Sequence, residues 1–379
     1  MKNITMTKNM STHQGFSLIE LLIGLMIGLI GLLVVFQVVS VWSKQAHTSS
    51  TGSDAQITGT QAMFALERDL RQAGMGFSNS ASTGCIVNSS LVAAPANAVA
   101  ALPFSLIPVE IIYPGVGGNP GNVGDPVQIN VLYGNSQYFT ERQAYAALNS
   151  TNTTKASQQP YGFQVNDYVV IENSNATCPI ALVSVTGVNG AAVSHTDDGT
   201  FGVLASLGGY LNDLGPSPSR NVWQIASPQN GVSYLQMRNE FPAPFTITGG
   251  AFRPFSQIAE GVINLQAQYG TDGSDGTAPD LSISAAEWTT AVPASWSNVL
   301  AIRVAILVRS QQFEKPNPNQ VTPVAPSWAG GAFVMKNVDG TTTANPAIAN
   351  DWHNYRYRVY EKVIPIRNLL WKCTHDCAH

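Results

Sequence analysis

From Phe16 to Trp42 the chain reads FSLIELLIGLMIGLIGLLVVFQVVSVW, with Glu20 as the one formal charge. A helix rises about 1.5 Å per residue, so about 20 such residues cross a bilayer. Lys2, Lys8 and His13 precede the run and no acid stands before Glu20, a bias that keeps the N-terminus in the cytoplasm. No second apolar run of that length follows. The expected topology is one N-terminal span with a large exported domain. A cleaved secretory signal would have an apolar core of about 7–15 residues and a small-residue cleavage site, and Val41-Trp42-Ser43-Lys44 offers none. Glu20 needs its own explanation, because a carboxylate inside a span costs about 2.5–3.5 kcal/mol on insertion scales. The ammonium group of a new N-terminus at Phe16 would be a partner for it.

Those residues carry a resemblance. Gly15-Phe16-Ser17-Leu18-Ile19-Glu20 resembles the type III signal of type IV prepilins. The resemblance implies cutting after Gly15 on the cytoplasmic side and N-methylation of Phe16, with Glu20 retained. Met1–Gly15 would be the leader, with Met6 and Met10 as alternative starts. Physically, Glu20 of one subunit can neutralise the new amine of its neighbour. Two buried charges that are costly alone become tolerable as a pair, and one stagger satisfies both. Gly24, Gly28 and Gly31 offer a small-residue face for close helix approach.

Past Trp42 the chain turns polar, and a helical pattern resumes near Ser53–Asp54. Ile57, Met63, Leu66, Leu70 and Ala73 form an apolar stripe, Glu67 and Arg71 can pair at i,i+4, and Gly74 and Gly76 end the helix. The stripe needs a sheet to cover it. From Phe77 onward, strand-like runs alternate with Gly/Pro/Asn turns: Val109–Tyr113, Val127–Tyr133, Tyr168–Glu172, Ile180–Val188, Val222–Ile225, Val232–Met237, Gly261–Tyr269, Val299–Arg309 and Arg356–Arg367. Ala285–Thr290 is a short helical turn, and Asn149–Gln159 and Glu314–Ser327 read as surface loops. Charged residues are only 11% of the 379, with 19 basic against 23 acidic. That excludes the concentrated cationic face of a nucleic-acid binder. No nucleophile-elbow, zinc-protease, P-loop or dinucleotide motif is present, so neither catalysis nor a cofactor is expected.

Three segments, LERDLRQAGMGF at 66–77, INLQAQYGTDGSDG at 263–276 and RYRVYEKVIPIRNLLW at 356–371, together resemble the PilW family of minor pilins. VLAIRVAILVRSQQ at 299–312 has the same character. The resemblance implies an α+β pilin-like fold: a long N-terminal transmembrane and amphipathic helix packed on an antiparallel β-sheet head enlarged by β-rich insertions. The expected divisions are a leader at 1–15, a transmembrane and assembly helix at 16–42, its amphipathic continuation at 43–76, and a head at 77–379 with an inserted subdomain near 85–250. The implied function is a minor pilin that helps to initiate a type IV pilus near its tip. Implied partners are other minor pilins, the major pilin, a tip adhesin and the prepilin peptidase. The chain would first sit in the inner membrane with its head in the periplasm, then in the fibre. A minor pseudopilin of type II secretion shares the N-terminus. An anchored adhesin, using exposed aromatics such as Trp288, Trp296 and Trp328, is the reading from a different class, though aromatics more often fill a core.

An even count of four cysteines beyond the membrane favours disulfides. Cys85–Cys178 with Cys373–Cys377 is the preferred one of three pairings. The tail also offers Cys373, His375, Cys377 and His379 as zinc ligands, though not at a usual finger spacing. Asp272, Asp275 and Asp280 in a glycine-rich loop are a weak calcium candidate; the plainer reading is a polar hairpin turn.

Overall fold

The computed structural model describes residues 17–77, 82–88, 105–116, 119, 121–137, 142–149, 151–155, 162–173, 178, 180–196, 208–226, 231–241, 254–315, 321–343 and 345–370, without the side chains of 44–54, 155, 173 and 370. The chain divides into two compact units, residues 1–53 and 54–379.

Helix α1 (Leu18–Gln72) runs through both. In the first unit, Leu18–Ser43 has a mean hydropathy of 2.8 and none of it is buried within the protein. It is long and apolar enough to cross a membrane.

The second unit holds eighteen strands among the described residues. They are β1 (Val87–Asn88), β2 (Val109–Ile112), β3 (Gln128–Tyr133), β4 (Gln143–Leu148), β5 (Asn152–Lys155), β6 (Tyr168–Asn173), β7 (Ile180–Asn189), β8 (Ala192–His195) and β9 (Gly209–Gly215). Then follow β10 (Ser219–Ile225), β11 (Tyr234–Asn239), β12 (Ser256–Glu260), β13 (Val262–Thr271), β14 (Trp288–Thr289), β15 (Val299–Arg309), β16 (Ser327–Trp328), β17 (Gly331–Ala332) and β18 (Tyr357–Pro365). A last turn of helix is α2 (Arg367–Leu370).

Two antiparallel sheets make the body of the head. One has the order β12-β11-β10-β3-β2, the other β14-β13-β15-β18. Strand β15 reads VLAIRVAILVR and is buried along most of its length, the continuous apolar run expected of a strand covered on both faces. Met63, Leu66, Leu70 and Ala73 of α1 share one core with Ile129, Val131, Trp223, Leu265, Tyr269, Ile302, Val304 and Ile364 from these sheets. The helical stripe therefore lands on a sheet, as its spacing predicts. Ile57 is a correction: it lies on that stripe in sequence but is 57% exposed.

Between β3 and β10, which pair with each other, the chain builds a third body. Hydrogen-bonded neighbours run β7-β6-β9-β4-β5-β8, and β8 pairs back to β7. Six antiparallel strands thus close into a small barrel, and closure leaves no free edge. Tyr145, Leu148, Phe163, Val169, Ile171, Val183, Val185, Val193 and Leu211 fill it. Alternate residues of the same strands, among them Val170, Ile180, Leu182 and Leu214, pack outward with Phe77, Leu106, Leu132 and Phe241.

Several sequence expectations need correction. Asn149–Gln159 is not wholly a loop, because β5 pairs with both β4 and β8. Strands β4, β8, β9 and β12 were not expected at all. Arg356–Arg367 gives up its strand at Pro365 and turns into α2. The helical turn at Ala285–Thr290 is a 3-10 turn over Ala285–Glu287 followed directly by β14.

Candidate assembly site

The processing residues Gly15 and Phe16 lie outside the described residues. Glu20 is exposed in the first turn of α1, its amide donating to the Ser17 carbonyl at 3.0 Å. Around Gly24, Gly28 and Gly31 there is open space, with nothing within 4 Å of an added Cβ. No described residue occupies that face, and every large apolar side chain from Leu18 to Trp42 is at least half exposed.

In the second unit, the helix end and the last strand form a tight joint. Glu67 accepts from Lys362 Nζ of β18 at 2.6 Å and pairs with Arg71 at 2.5 Å. The hydrogen bond from Lys362 holds the Glu67 carboxyl below its usual range. Tyr360 lies across Gly59, where an added Cβ would sit 2.1 Å from its ring, and its hydroxyl donates to the Gln56 carbonyl at 3.2 Å. Asn368 donates to the Gln72 and Ala73 carbonyls at 3.1 and 3.0 Å, which caps otherwise unpaired C-terminal carbonyls. Gly74 follows with φ +81°, a left-handed turn suited to glycine. Its amide donates to the Leu132 carbonyl at 2.9 Å. The segments 66–77 and 356–371, far apart in sequence, meet here.

Asp69 was missed by sequence reasoning. It is 2% exposed, and its carboxylate accepts from Asn221 Nδ2 at 2.7 Å, Trp223 Nε1 at 2.8 Å and the Tyr133 hydroxyl at 3.4 Å. Burial raises its pKa, and the donors from Asn221 and Trp223 oppose the rise. A signal was available: helical spacing puts residue 69 beside Leu66, Leu70 and Ala73 on the buried face.

The other candidates separate clearly. Cys85 and Cys178 form a disulfide with Cα atoms 5.4 Å apart, while Cys373 and Cys377 lie outside the described residues. The carboxylates of Asp272, Asp275 and Asp280 are each engaged by their own loop. Asp272 accepts from the amides of Asp280 (3.0 Å) and Leu281 (2.8 Å), Asp275 from that of Thr277 (3.0 Å), and Asp280 from that of Ser282 (2.9 Å). No group of three or more His, Cys, Asp or Glu among the described residues is placed to hold a metal ion. Trp288, Trp296 and Trp328 are half-buried rather than exposed platforms. Trp296 meets Tyr269 edge-on, and Arg303 lies against both Trp288 and Trp328.

No curated protein and no solved structure matches the chain. Two family models do. Residues 10–36 match the prokaryotic N-terminal methylation motif, which covers Gly15, Phe16 and Glu20. Residues 222–368 match the type IV pilus-assembly protein W family, which takes in β13, β15 and the joint strand β18. With that motif ahead of an exposed apolar helix, and that family over the sheet which receives the helix, the chain matches a PilW-family pilin with a prepilin signal.

Proposed function

We propose that the chain is a minor pilin, a structural subunit that helps to initiate assembly of a type IV pilus near its tip. Residues 1–15 are the leader, 16–42 the membrane and assembly helix, 43–76 its continuation, and 77–379 a pilin-type head enlarged by the six-stranded barrel. Prepilin peptidase cuts after Gly15 and methylates Phe16. The subunit waits in the inner membrane with its head in the periplasm, then joins other minor pilins, the major pilin and a tip adhesin.

One observation carries this reading. An apolar helix with no apolar partner among the described residues bears a single carboxylate, Glu20, at the start of its span. A plain anchor would be more stable without that charge, whereas an assembly helix uses it to select the stagger against a neighbour's amine. The half-buried tryptophans lend no weight to the adhesin alternative.

The test is Glu20→Ala as the only copy in the cell. The subunit should still insert and accumulate, and fibre number should fall while the remaining fibres keep normal length and composition. Unchanged piliation and unchanged secretion would sink the assembly reading. A loss of secretion with normal piliation would move the chain to a pseudopilus.

A further inference from the structure

Where the two body sheets meet there is a cavity of about 230 Å³. Its wall includes Asp125 ahead of β3, Ile225 at the end of β10, Asn264 on β13, Arg309 at the end of β15, and Lys336 and Asn337 beyond β17. Most polar groups in this wall are already satisfied. Lys336 Nζ stands 2.6 Å from Asp125. Asn337 donates to the Thr343 carbonyl at 2.7 Å and accepts from the Trp352 amide at 3.1 Å. Asn264 accepts from Gln266 at 2.8 Å.

Arg309 is the exception. Its Nη2 donates to the Gly231 carbonyl, and its guanidinium carbon lies 5.0 Å from the centre of the Tyr355 ring. Those contacts leave most of its five N–H donors for something else. Among the described residues no carboxylate pairs with it, and its neighbours Tyr357 and Tyr355 are phenols that burial keeps neutral. Burial lowers its pKa. Other arginines of this head are provided for: Arg220 and Arg238 both meet Glu240, and Arg356 meets Glu314. Arg309 is half-buried and lines the cavity, so its remaining donors are open to a ligand there.

We propose that this cavity is a binding site for a carboxylate, held by the guanidinium of Arg309. The fork of N–H donors matches the two oxygens of a carboxylate. Asp125 is paired with Lys336, so the wall carries the one net charge of Arg309, which a carboxylate balances and a phosphate dianion exceeds. The volume is below the roughly 300–1,000 Å³ of pockets for drug-sized ligands. The ligand is therefore one acidic amino-acid residue or a small organic acid, and this site is independent of the pilin reading.

The test uses the full chain in detergent micelles, titrated with N-acetylglutamate and with its neutral isostere N-acetylglutamine. Binding is read by calorimetry and by the Nε–Hε resonance of Arg309. N-acetylglutamate should bind saturably with Kd on the order of 1 mM, as befits so small a ligand, and N-acetylglutamine at least about tenfold more weakly. Arg309→Met should abolish the preference. Arg309→Lys, which keeps the charge and loses the fork, should weaken binding and keeps the test open if the methionine variant fails to fold. Equal behaviour of acid and amide overturns the proposal, as does unchanged binding in Arg309→Lys and Arg309→Met together. A short neutral peptide with one internal glutamate distinguishes the source. Tighter binding than the free acid upholds the site as one for a protein-borne side chain, and weaker binding upholds it as one for a free acid.

Discussion

Replacing Asp213 with asparagine should make the head more stable at neutral pH and remove a pH dependence that the wild type shows. Asp213 lies on β9 opposite Val169 of β6 and is 2% exposed. One carboxylate oxygen accepts from the Gly215 amide at 2.8 Å and the other from the Ser136 hydroxyl. Burial is the first cause of a pKa raised from 3.8 to about 7, with the nearby charge of Asp167 adding to the rise. Between those two values the folded protein holds a proton that the unfolded chain has lost, so stability falls as pH rises from about 4 to about 7 and levels above that. At about 1.4 kcal/mol per pH unit, the full effect is at most about 4 kcal/mol. The amide imitates the protonated acid, since its oxygen can accept from Gly215 and its nitrogen can donate to Ser136. The assay is denaturant unfolding of the full chain in detergent, wild type against Asp213→Asn, from pH 4 to pH 8. Other carboxylates titrate in both proteins, so their difference isolates Asp213. It should be near zero at pH 4 and reach several kcal/mol in favour of the variant by pH 8. A variant less stable than wild type at pH 8, or a difference that does not change with pH, would refute the reasoning.

Gly59→Leu should cost about 1–3 kcal/mol, because its side chain meets the Tyr360 ring and overpacking is relieved only by moving the helix or the ring. Tyr360→Ala should recover part of that loss, and additive melting shifts would refute the contact. Reducing Cys85–Cys178, which closes a sequence separation of 93 residues, should lower stability by about 3–5 kcal/mol; an unchanged melting temperature under reductant would contradict this. Gly15→Leu should leave the leader attached, whereas the wild type should give an intact mass beginning at N-methyl-Phe16, and a mature start at Ser43 or later would overturn the processing step.

Legibility from sequence tracked how many consecutive residues each element commits to one environment. Leu18–Ser43 and β15 announce themselves because each is apolar over many turns or pleats. The stripe through Met63, Leu66 and Leu70 is legible for the same reason. The barrel is not. A strand in so small a closed sheet adds only one to three residues to the apolar interior: β4 contributes Tyr145 and Leu148, and β8 contributes Val193. So few residues do not let a period stand out. Its interior also accepts polar groups once they are paired, as with Thr153 Oγ1 and His195 Nε2 at 2.8 Å, which breaks the expected alternation further. Asp69 was hidden because a charged residue is assumed to face water, and its three neutral donors come from strands distant in sequence. For the tryptophans, small neighbours in sequence left exposure open beside the commoner core role, and the neighbours that half-bury them, Tyr269 and Arg303, come from strands distant in sequence.

The acids of α1 make the case for two roles on one helix. Glu67 is answered by Lys362 and Arg71, and Asp69 by Asn221, Trp223 and Tyr133. These partners all lie in the same chain, and they fix the last turns of the helix to the head. Glu20 differs in both surroundings and partner: its neighbours along the helix are apolar and exposed, and among the described residues no cation pairs with it. A carboxylate in hydrocarbon is tolerated only when a cation or strong donors reach it. Residues 10–36 match the N-terminal methylation motif, and the processing proposed above would create such a cation, a methylated amine at Phe16. Under the proposed function, the amine of a second subunit lying alongside at a shifted height would answer Glu20. The head end of α1 is thus closed within the chain, and the proposed function leaves its membrane end to be completed by another subunit.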